Sequence, residues 1–213
     1  MKYAFVGQKI EIIMCGLFFS IGQPFEPKRI DIVNHRGPDS DGLVKMDWSG
    51  RQVCLAHKRL SIIDLSESAS QPARSADGRY HLLFNGAIYN FASLAESLKA
   101  EGAFEGPVND TRVLLAGLIA HGTDFLSKLS GMFALVFVDN ETHSVIAARD
   151  RFGIKPLYFT EDSNSLGFAS EIKQLLDWGG STRVANEAAI FDFLKFGVTD
   201  HSLGTFFEGI LNG

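Results

Sequence analysis

The stretch Met14-Cys15-Gly16-Leu17-Phe18-Phe19 is where this sequence is most informative. A cysteine beside a glycine, followed by three large apolar residues, predicts the exposed start of an otherwise buried strand. A lone cysteine is also a common small apolar residue of protein interiors. This stretch by itself therefore leaves both a structural and a chemical role open for Cys15.

Composition narrows the class of protein. The chain has 213 residues, 46% of them hydrophobic and 21% charged, which is typical of one globular domain or of one domain and the start of another. A net charge of −5 without a Lys/Arg run argues against a nucleic-acid partner. No stretch approaches the ~20 apolar residues of a membrane span. With only two cysteines, a cytoplasmic location is expected.

Hydrophobic patterns predict many short strands and a few helices. The apolar run 132–138 predicts a strand buried on both faces. Further strands are predicted at 53–57, 60–64, 80–84, 144–149, 157–159 and 166–169, and helices at 30–33, 92–100, 111–121, from 170 and at 187–196. Strands in two groups with helices between them predict a layered α+β domain.

The pair Asn85-Gly86 has two interpretations. It is a strong turn signal and is predicted to end the strand at 80–84. Alternatively, glycine lets a backbone N–H approach a ligand closely, and the adjacent asparagine amide supplies a second donor. Two donors aimed at one point form an oxyanion hole.

Three charged motifs are also ambiguous. Arg36-Gly37-Pro38-Asp39 is either a loop with an internal salt bridge or part of a site. Arg59, in a basic segment beside an apolar run, has a side chain suited to a carboxylate, although solvated basic residues at strand ends are common. Asp110 is a candidate helix N-cap, with Asn109 as the alternative, or a ligand for an ammonium group. The charged segment 148–158 is interpreted as scaffold.

In this order, these stretches resemble the glutaminase domain of asparagine synthetases, a class II glutamine amidotransferase. The resemblance spans roughly residues 14–209 and implies the N-terminal-nucleophile hydrolase fold, a four-layer αββα sandwich. The related purine-pathway and glucosamine-phosphate amidotransferases lack the Arg-Leu-Ser-Ile pattern of 59–62. The motifs that carry the resemblance lie at 14–16, 35–39, 55–62, 84–90 and 148–158.

The resemblance implies a role for each candidate residue. Cys15 would attack the side-chain amide of glutamine, with its own α-amine as the base. Asn85 and the Gly86 N–H would hold the oxyanion, Arg59 the α-carboxylate and Asp110 the α-ammonium. No metal is expected.

Two departures from the family pattern matter. Ala87 stands where the family usually has a glutamate that helps to bind the ammonium. Residues 1–14 precede Cys15, whose α-amine is free only if they are absent or removed. We interpret residues 1–14 as an N-terminal extension that reflects either a mis-assigned start, with translation really beginning at Met14, or a propeptide. These departures also favour an alternative, a catalytically silent domain with a docking or regulatory role.

The expected domain plan is a glutamine amidotransferase domain at 15–185, followed by a connector at 186–213 toward a synthetase domain. No Ser-Gly-Gly-x-Asp-Ser loop is present. No cofactor is therefore expected here, and ATP and Mg are expected only for that synthetase domain. The expected partners are glutamine, the synthetase domain in the full-length chain or in a separate protein, and a second copy of the chain in a homodimer.

Overall fold

Two antiparallel β-sheets pack face to face in the computed structural model, with helices on their outer surfaces. The structure describes residues 15–38, 40–59, 70–178, 181, 183–199 and 202–213. The predicted α+β four-layer αββα sandwich is confirmed.

The first sheet contains six strands in the order β10-β8-β9-β1-β3-β2. Its central strand, β1, is buried along its whole length. Alternate β1 side chains face the second sheet or the outer helices, because successive side chains of a strand point to opposite faces. The bounds are β1 Gly16–Ile21, β2 Ser40–Trp48, β3 Arg51–Arg59, β8 Tyr158–Glu161, β9 Leu166–Ala169 and β10 Leu211–Asn212.

The second sheet contains four strands in the order β4-β5-β6-β7. Its strand β6 carries the apolar run predicted at 132–138 and is buried on both faces, as predicted. The bounds are β4 Ala73–Arg74, β5 Tyr80–Ile88, β6 Gly131–Asp139 and β7 Ser144–Arg149.

Helices cover both outer faces. Helices α2 (Phe91–Ala100) and α3 (Asp110–His121) pack on the second sheet, and α1 (Lys28–Asp31) and α4 (Ile172–Leu175) pack on the first. A 3₁₀ helix, Gly122–Lys128, follows α3. Helix α5 (Glu187–Phe196) buries none of its residues. None of the described helices has the length and apolarity that a bilayer crossing requires.

The hydrophobic residues form one layer between the sheets and one under each pair of helices. The inner layer includes Leu17 and Phe19 of β1 and Leu83 of β5, all fully buried. It fixes which ends of β1, β3 and β5 lie together, and thereby positions the candidate residues.

Two sequence expectations need correction or further description. The predicted turn at Asn85-Gly86 is wrong, because β5 continues through both residues to Ile88 and pairs with β6 throughout. The predicted connector 186–213 includes α5 and β10, and β10 pairs with β8. The domain boundaries stay a prediction. Residues 1–14 and the strand predicted at 60–64 lie outside the described residues.

Candidate active site

Cys15 directly precedes β1, at one end of the sandwich. Leu17 pairs with His57 across the antiparallel β1–β3 ladder. The same register places Cys15 level with Arg59. Because Leu17 is buried between the sheets and side chains two residues apart share a face, Cys15 faces the second sheet.

The backbone at Cys15 is held by the loop that follows α1. Arg36 is buried, and its Nε donates to the carbonyl oxygen of Cys15 at 3.1 Å. Its Nη1 donates to Glu171 Oε1 at 3.2 Å. A Cβ at Gly16 would lie 2.8 Å from a side-chain atom of this loop, so the close approach requires a glycine after the cysteine.

The Gly86 N–H points away from β6. Gly86 lies opposite Phe133, but the N–H and the carbonyl of Phe133 are both bonded to Asp150. The backbone N–H and carbonyl of Phe133 therefore point toward β7 and not toward β5. The Gly86 N–H accordingly faces the edge of β5 that lies away from β6. A Cβ at Gly86 would lie 2.1 Å from the carbonyl oxygen of Met132, so only glycine fits here.

The side chain of Asn85 lies between the two sheets. It is 2% exposed, and Leu83, on the same face of β5, belongs to the inner core. Its Nδ2 is buried without a hydrogen-bond partner among the described residues. A buried donor without a partner is costly. An acceptor atom of a ligand placed between the sheets would satisfy it.

Asp110 is the first residue of α3 rather than its N-cap. Asn109 is the N-cap, and its Oδ1 accepts from Arg112 N at 2.9 Å. The Asp110 carboxylate accepts from Thr111 N at 2.8 Å and from the backbone of Ile88 on β5. Burial raises the pKa of Asp110, and these backbone donors oppose the rise. The carboxylate thus lies beside the C-terminal end of β5.

Arg59 is the last residue of β3 and is buried. It shares a face with His57, whose Nε2 lies 3.3 Å from the carbonyl oxygen of Phe84 on the second sheet. Burial lowers the pKa of His57 to about 4, and the nearby Arg59 charge acts in the same direction. The imidazole is therefore neutral at pH 7, with its Nε2 as the donor to Phe84.

The loop after β7 lies near Cys15. Burial lowers the pKa of Lys155, and the Arg36 charge lowers it further, whereas negative charge on Cys15 or Asp150 opposes the shift. Such charge coupling requires proximity, so Lys155 lies near Cys15 and Arg36. The Asp150 carboxylate accepts four backbone N–H bonds of 3.0–3.1 Å, consistent with the interpretation of this segment as scaffold.

The structure therefore brings the candidates to one end of the sandwich. Cys15 and Arg59 lie at the end of the first sheet, Asn85 and Gly86 lie on β5 of the second, and Asp110 lies beside the end of β5. Asp39 lies outside the described residues, so its predicted ion pair with Arg36 stays untested.

The second cysteine, Cys54, has the surroundings of a structural residue. Burial raises the pKa of Cys54 to about 12, which fits a buried strand residue. Across the described ranges, no three His, Cys, Asp or Glu side chains cluster as a metal ion would require.

Sequence reasoning missed Gln71, whose side chain binds the backbone of β5 beside Asn85. Its only sequence signal was its position just before Pro72.

A sequence model of the glutamine amidotransferase domain matches residues 14–212. This chain belongs to the glutamine amidotransferase domain family. The family model covers more than nine-tenths of the sequence, and its match begins at the methionine before Cys15.

Among curated relatives, asparagine synthetase [glutamine-hydrolyzing] 1 of Bacillus subtilis is 41% identical over 157 residues, 74% of this chain and 24% of that protein. A putative asparagine synthetase [glutamine-hydrolyzing] of Mycobacterium tuberculosis is 38% identical over 183 residues, 77% of this chain and 28% of that protein. The amidase chry2 of Gibberella zeae is 41% identical over 150 residues, 70% of this chain and 22% of that protein. The resemblance to the glutaminase domain of asparagine synthetases is thereby confirmed. The chain spans only about a quarter of the length of these relatives.

Two solved structures share the fold. The glutamine phosphoribosylpyrophosphate amidotransferase of Bacillus subtilis has a TM-score of 0.60 at 21% identity, covering 76% of this chain and 43% of that one. A structure described as the allosteric regulatory enzyme of purine biosynthesis has a TM-score of 0.63 at 23% identity, with the same coverage. At these identities the likeness supports the fold alone.

Proposed function

We propose that this domain hydrolyses glutamine to glutamate and ammonia through a thioester on Cys15. The observation that carries the proposal is the pair of donors on β5. The buried Asn85 Nδ2, which has no hydrogen-bond partner among the described residues, lies beside the Gly86 N–H, which points away from β6. Such a pair suits the oxygen of a tetrahedral intermediate.

The proposed reaction has two steps. The thiolate sulfur of Cys15 bonds to the side-chain carbonyl carbon of glutamine, and the carbonyl π electrons move to the oxygen held by Asn85 and Gly86. Collapse of this intermediate breaks the carbon–nitrogen bond and, with a proton, releases ammonia. Water then hydrolyses the thioester to glutamate and regenerates the thiol.

Charged residues at the two sides of the site would hold the α-substituents of glutamine. Arg59 would bind the α-carboxylate, because a guanidinium suits bidentate contact with a carboxylate. Asp110 would bind the α-ammonium and must be ionised to do so. Its burial opposes ionisation, so the incoming ammonium would supply the charge that stabilises the carboxylate.

The base would be the α-amine of Cys15. An amine is available only when Cys15 is the first residue, since the nitrogen of a preceding peptide bond is not basic. We propose that translation starts at Met14 and that this methionine is removed. The start of the family match at residue 14 supports this proposal.

The first experiment is the intact mass of the protein expressed from its native gene context, followed by an assay of glutamate release. The expected results are a mass that begins at Cys15 and glutamate release that is abolished in Cys15→Ala. Release that persists in Cys15→Ala would contradict the nucleophile assignment.

A second candidate is a silent domain with a docking or regulatory role, favoured by Ala87 and by the residues that precede Cys15. A protein that retains residues 1–14 in its native context, and that releases no glutamate, would contradict the glutaminase proposal and favour this alternative.

The ammonia would be used by a second domain, in a longer chain or in a partner protein. The relatives named as glutamine-hydrolysing asparagine synthetases are about four times as long as the matched region. We propose that the ammonia passes to a synthetase domain, in the same chain or in a partner, and that ATP and Mg act there. We also propose that the protein forms a homodimer and is located in the cytoplasm.

A further inference from the structure

The side chain of Gln71 continues the β4–β5 ladder where the β4 backbone leaves it. Ala73 pairs with Leu82, and the same antiparallel register places Gln71 opposite Phe84. Opposite Phe84, the side-chain amide of Gln71 makes the two hydrogen bonds that the backbone of a longer β4 would make. Gln71 Oε1 accepts from Phe84 N at 2.6 Å, and Gln71 Nε2 donates to the carbonyl oxygen of Phe84 at 2.8 Å.

Gly86 lies between two anchored positions on this edge of β5. Because backbone groups alternate along a strand, Phe84, Gly86 and Ile88 present theirs to the same edge. Gln71 binds those of Phe84, and Asp110 accepts from the backbone of Ile88. The Gly86 N–H therefore faces the space between the two side chains.

We infer that Gln71 is a positioning residue that fixes the Asn85 and Gly86 donors in place. Phe84 immediately precedes Asn85, so anchoring both of its backbone groups limits how far the next two residues can move. Oxyanion donors act only when they are held in advance at the place where charge develops. The inference rests on the proposed glutaminase function.

A second contact to the same carbonyl does not replace Gln71. His57 Nε2 lies 3.3 Å from the carbonyl oxygen of Phe84 and makes no bond to its N–H. When Gln71 is replaced by an apolar side chain, the Phe84 N–H loses its acceptor and the carbonyl keeps only the longer contact. The strand is then free to shift at the residue before the donors.

The same pair of strands offers a matched control. Ser75 Oγ accepts from Tyr80 N at 2.9 Å and donates its hydrogen to Asp77 Oδ1 at 2.6 Å, while the carbonyl oxygen of Tyr80 accepts from Ser75 N at 3.0 Å. Ser75→Ala thus removes the side-chain acceptor of a β5 backbone N–H, as Gln71→Met does, but at the far end of the strand from Asn85.

The experiment compares Gln71→Met with Ser75→Ala in the form of the protein that releases glutamate. Gln71→Met should lower kcat roughly ten- to hundredfold and leave the KM for glutamine within about twofold, because Arg59 and Asp110 still bind the substrate. Ser75→Ala should leave both constants within about twofold. An unchanged kcat in folded Gln71→Met, or an equal loss in Ser75→Ala, would overturn the inference.

Amide hydrogen exchange separates this inference from the proposed function. In Gln71→Met, the segment 84–86 should exchange at least about tenfold faster, whereas Ser75→Ala should leave it unchanged. Unchanged exchange in Gln71→Met would overturn the positioning role. If the wild-type protein shows no glutaminase activity, the proposed function is refuted, but the exchange measurement still tests the positioning role of Gln71. If Gln71→Met does not fold, Gln71→Glu takes its place. Gln71→Glu keeps the acceptor for Phe84 N but loses the donor to the Phe84 carbonyl, so segment 84–86 should again exchange faster and kcat should again fall.

Discussion

At the scale of single residues, the site depends on contacts that a side chain of another kind could not make. Gly86 has no space for a Cβ, and the Asn85 Nδ2 is buried with no hydrogen-bond partner in the part of the chain that the structure describes. Asp110 is held beside the end of β5 by the backbone of Ile88. Ala87, between Gly86 and Ile88, contributes no polar group where the family usually has glutamate.

Ala87→Glu is therefore expected to lower the KM for glutamine. A charge-assisted hydrogen bond to the substrate ammonium is worth roughly 1.5–3 kcal/mol, or about a ten- to hundredfold change in affinity. Ala87→Gln is the control, because it adds a side chain of similar size without the charge. Steady-state kinetics of glutamate release measures both variants. An unchanged KM in Ala87→Glu would mean that the substrate uses other contacts.

At the scale of elements, the turn after β7 is organised around one carboxylate. Asp150 accepts from the backbone N–H groups of Phe133, Phe152, Ile154 and Lys155. Burial by itself would raise the pKa of Asp150, but the backbone donors outweigh it and lower the pKa below its ordinary value. Asp150 thus connects this turn to β6 opposite Gly86.

Asp150→Asn is expected to lower the free energy of unfolding at pH 7 by roughly 2–4 kcal/mol, since an amide cannot accept all four N–H bonds. A carboxylate with a lowered folded-state pKa stabilises the protein above its unfolded pKa of about 3.9, and this contribution is lost as the pH falls through the folded-state pKa. The difference between wild type and Asp150→Asn should therefore shrink below about pH 4.

Urea denaturation at several pH values measures this difference. Asp162→Asn is the matched control, because Asp162 also accepts backbone N–H bonds but lies in an exposed turn. Its loss of stability should be smaller. A pH-independent difference for Asp150→Asn would contradict the assigned role of the charge.

At the scale of the whole molecule, apolar residues are distributed unevenly. The layer between the sheets is closed, with Leu83 fully buried. Helix α5 is apolar but buries none of its residues, and Leu194 is 77% exposed. The stability of the domain is thus expected to depend on the sheets and not on α5.

Leu83→Ala and Leu194→Ala make the same chemical change at these two places. Leu83→Ala should lower the free energy of unfolding by roughly 2–5 kcal/mol, because it removes buried methyl groups and leaves a cavity. Leu194→Ala should change it by about 0.5 kcal/mol or less. Denaturation midpoints of the two variants test this. A large loss in Leu194→Ala would show that α5 is packed in solution.

The sequence by itself predicted the secondary structure that depends on local patterns. The apolar run in β6, the helices α2 and α3, and the strands β7 and β9 follow from hydrophobic periodicity. The motifs around Cys15 and Asn85 also predicted the family, because each keeps its residue types in order along the chain.

Only the tertiary structure decided the role of Asn85-Gly86 and of Gln71. The sequence predicted a turn at Asn85-Gly86, because that pair favours one locally, but pairing with β6 continues the strand through both residues. Gln71 had no local signal beyond its position before Pro72, since its contacts with Phe84 join residues 13 positions apart in the chain. Strand pairing and burial depend on distant partners, and a local pattern does not contain them.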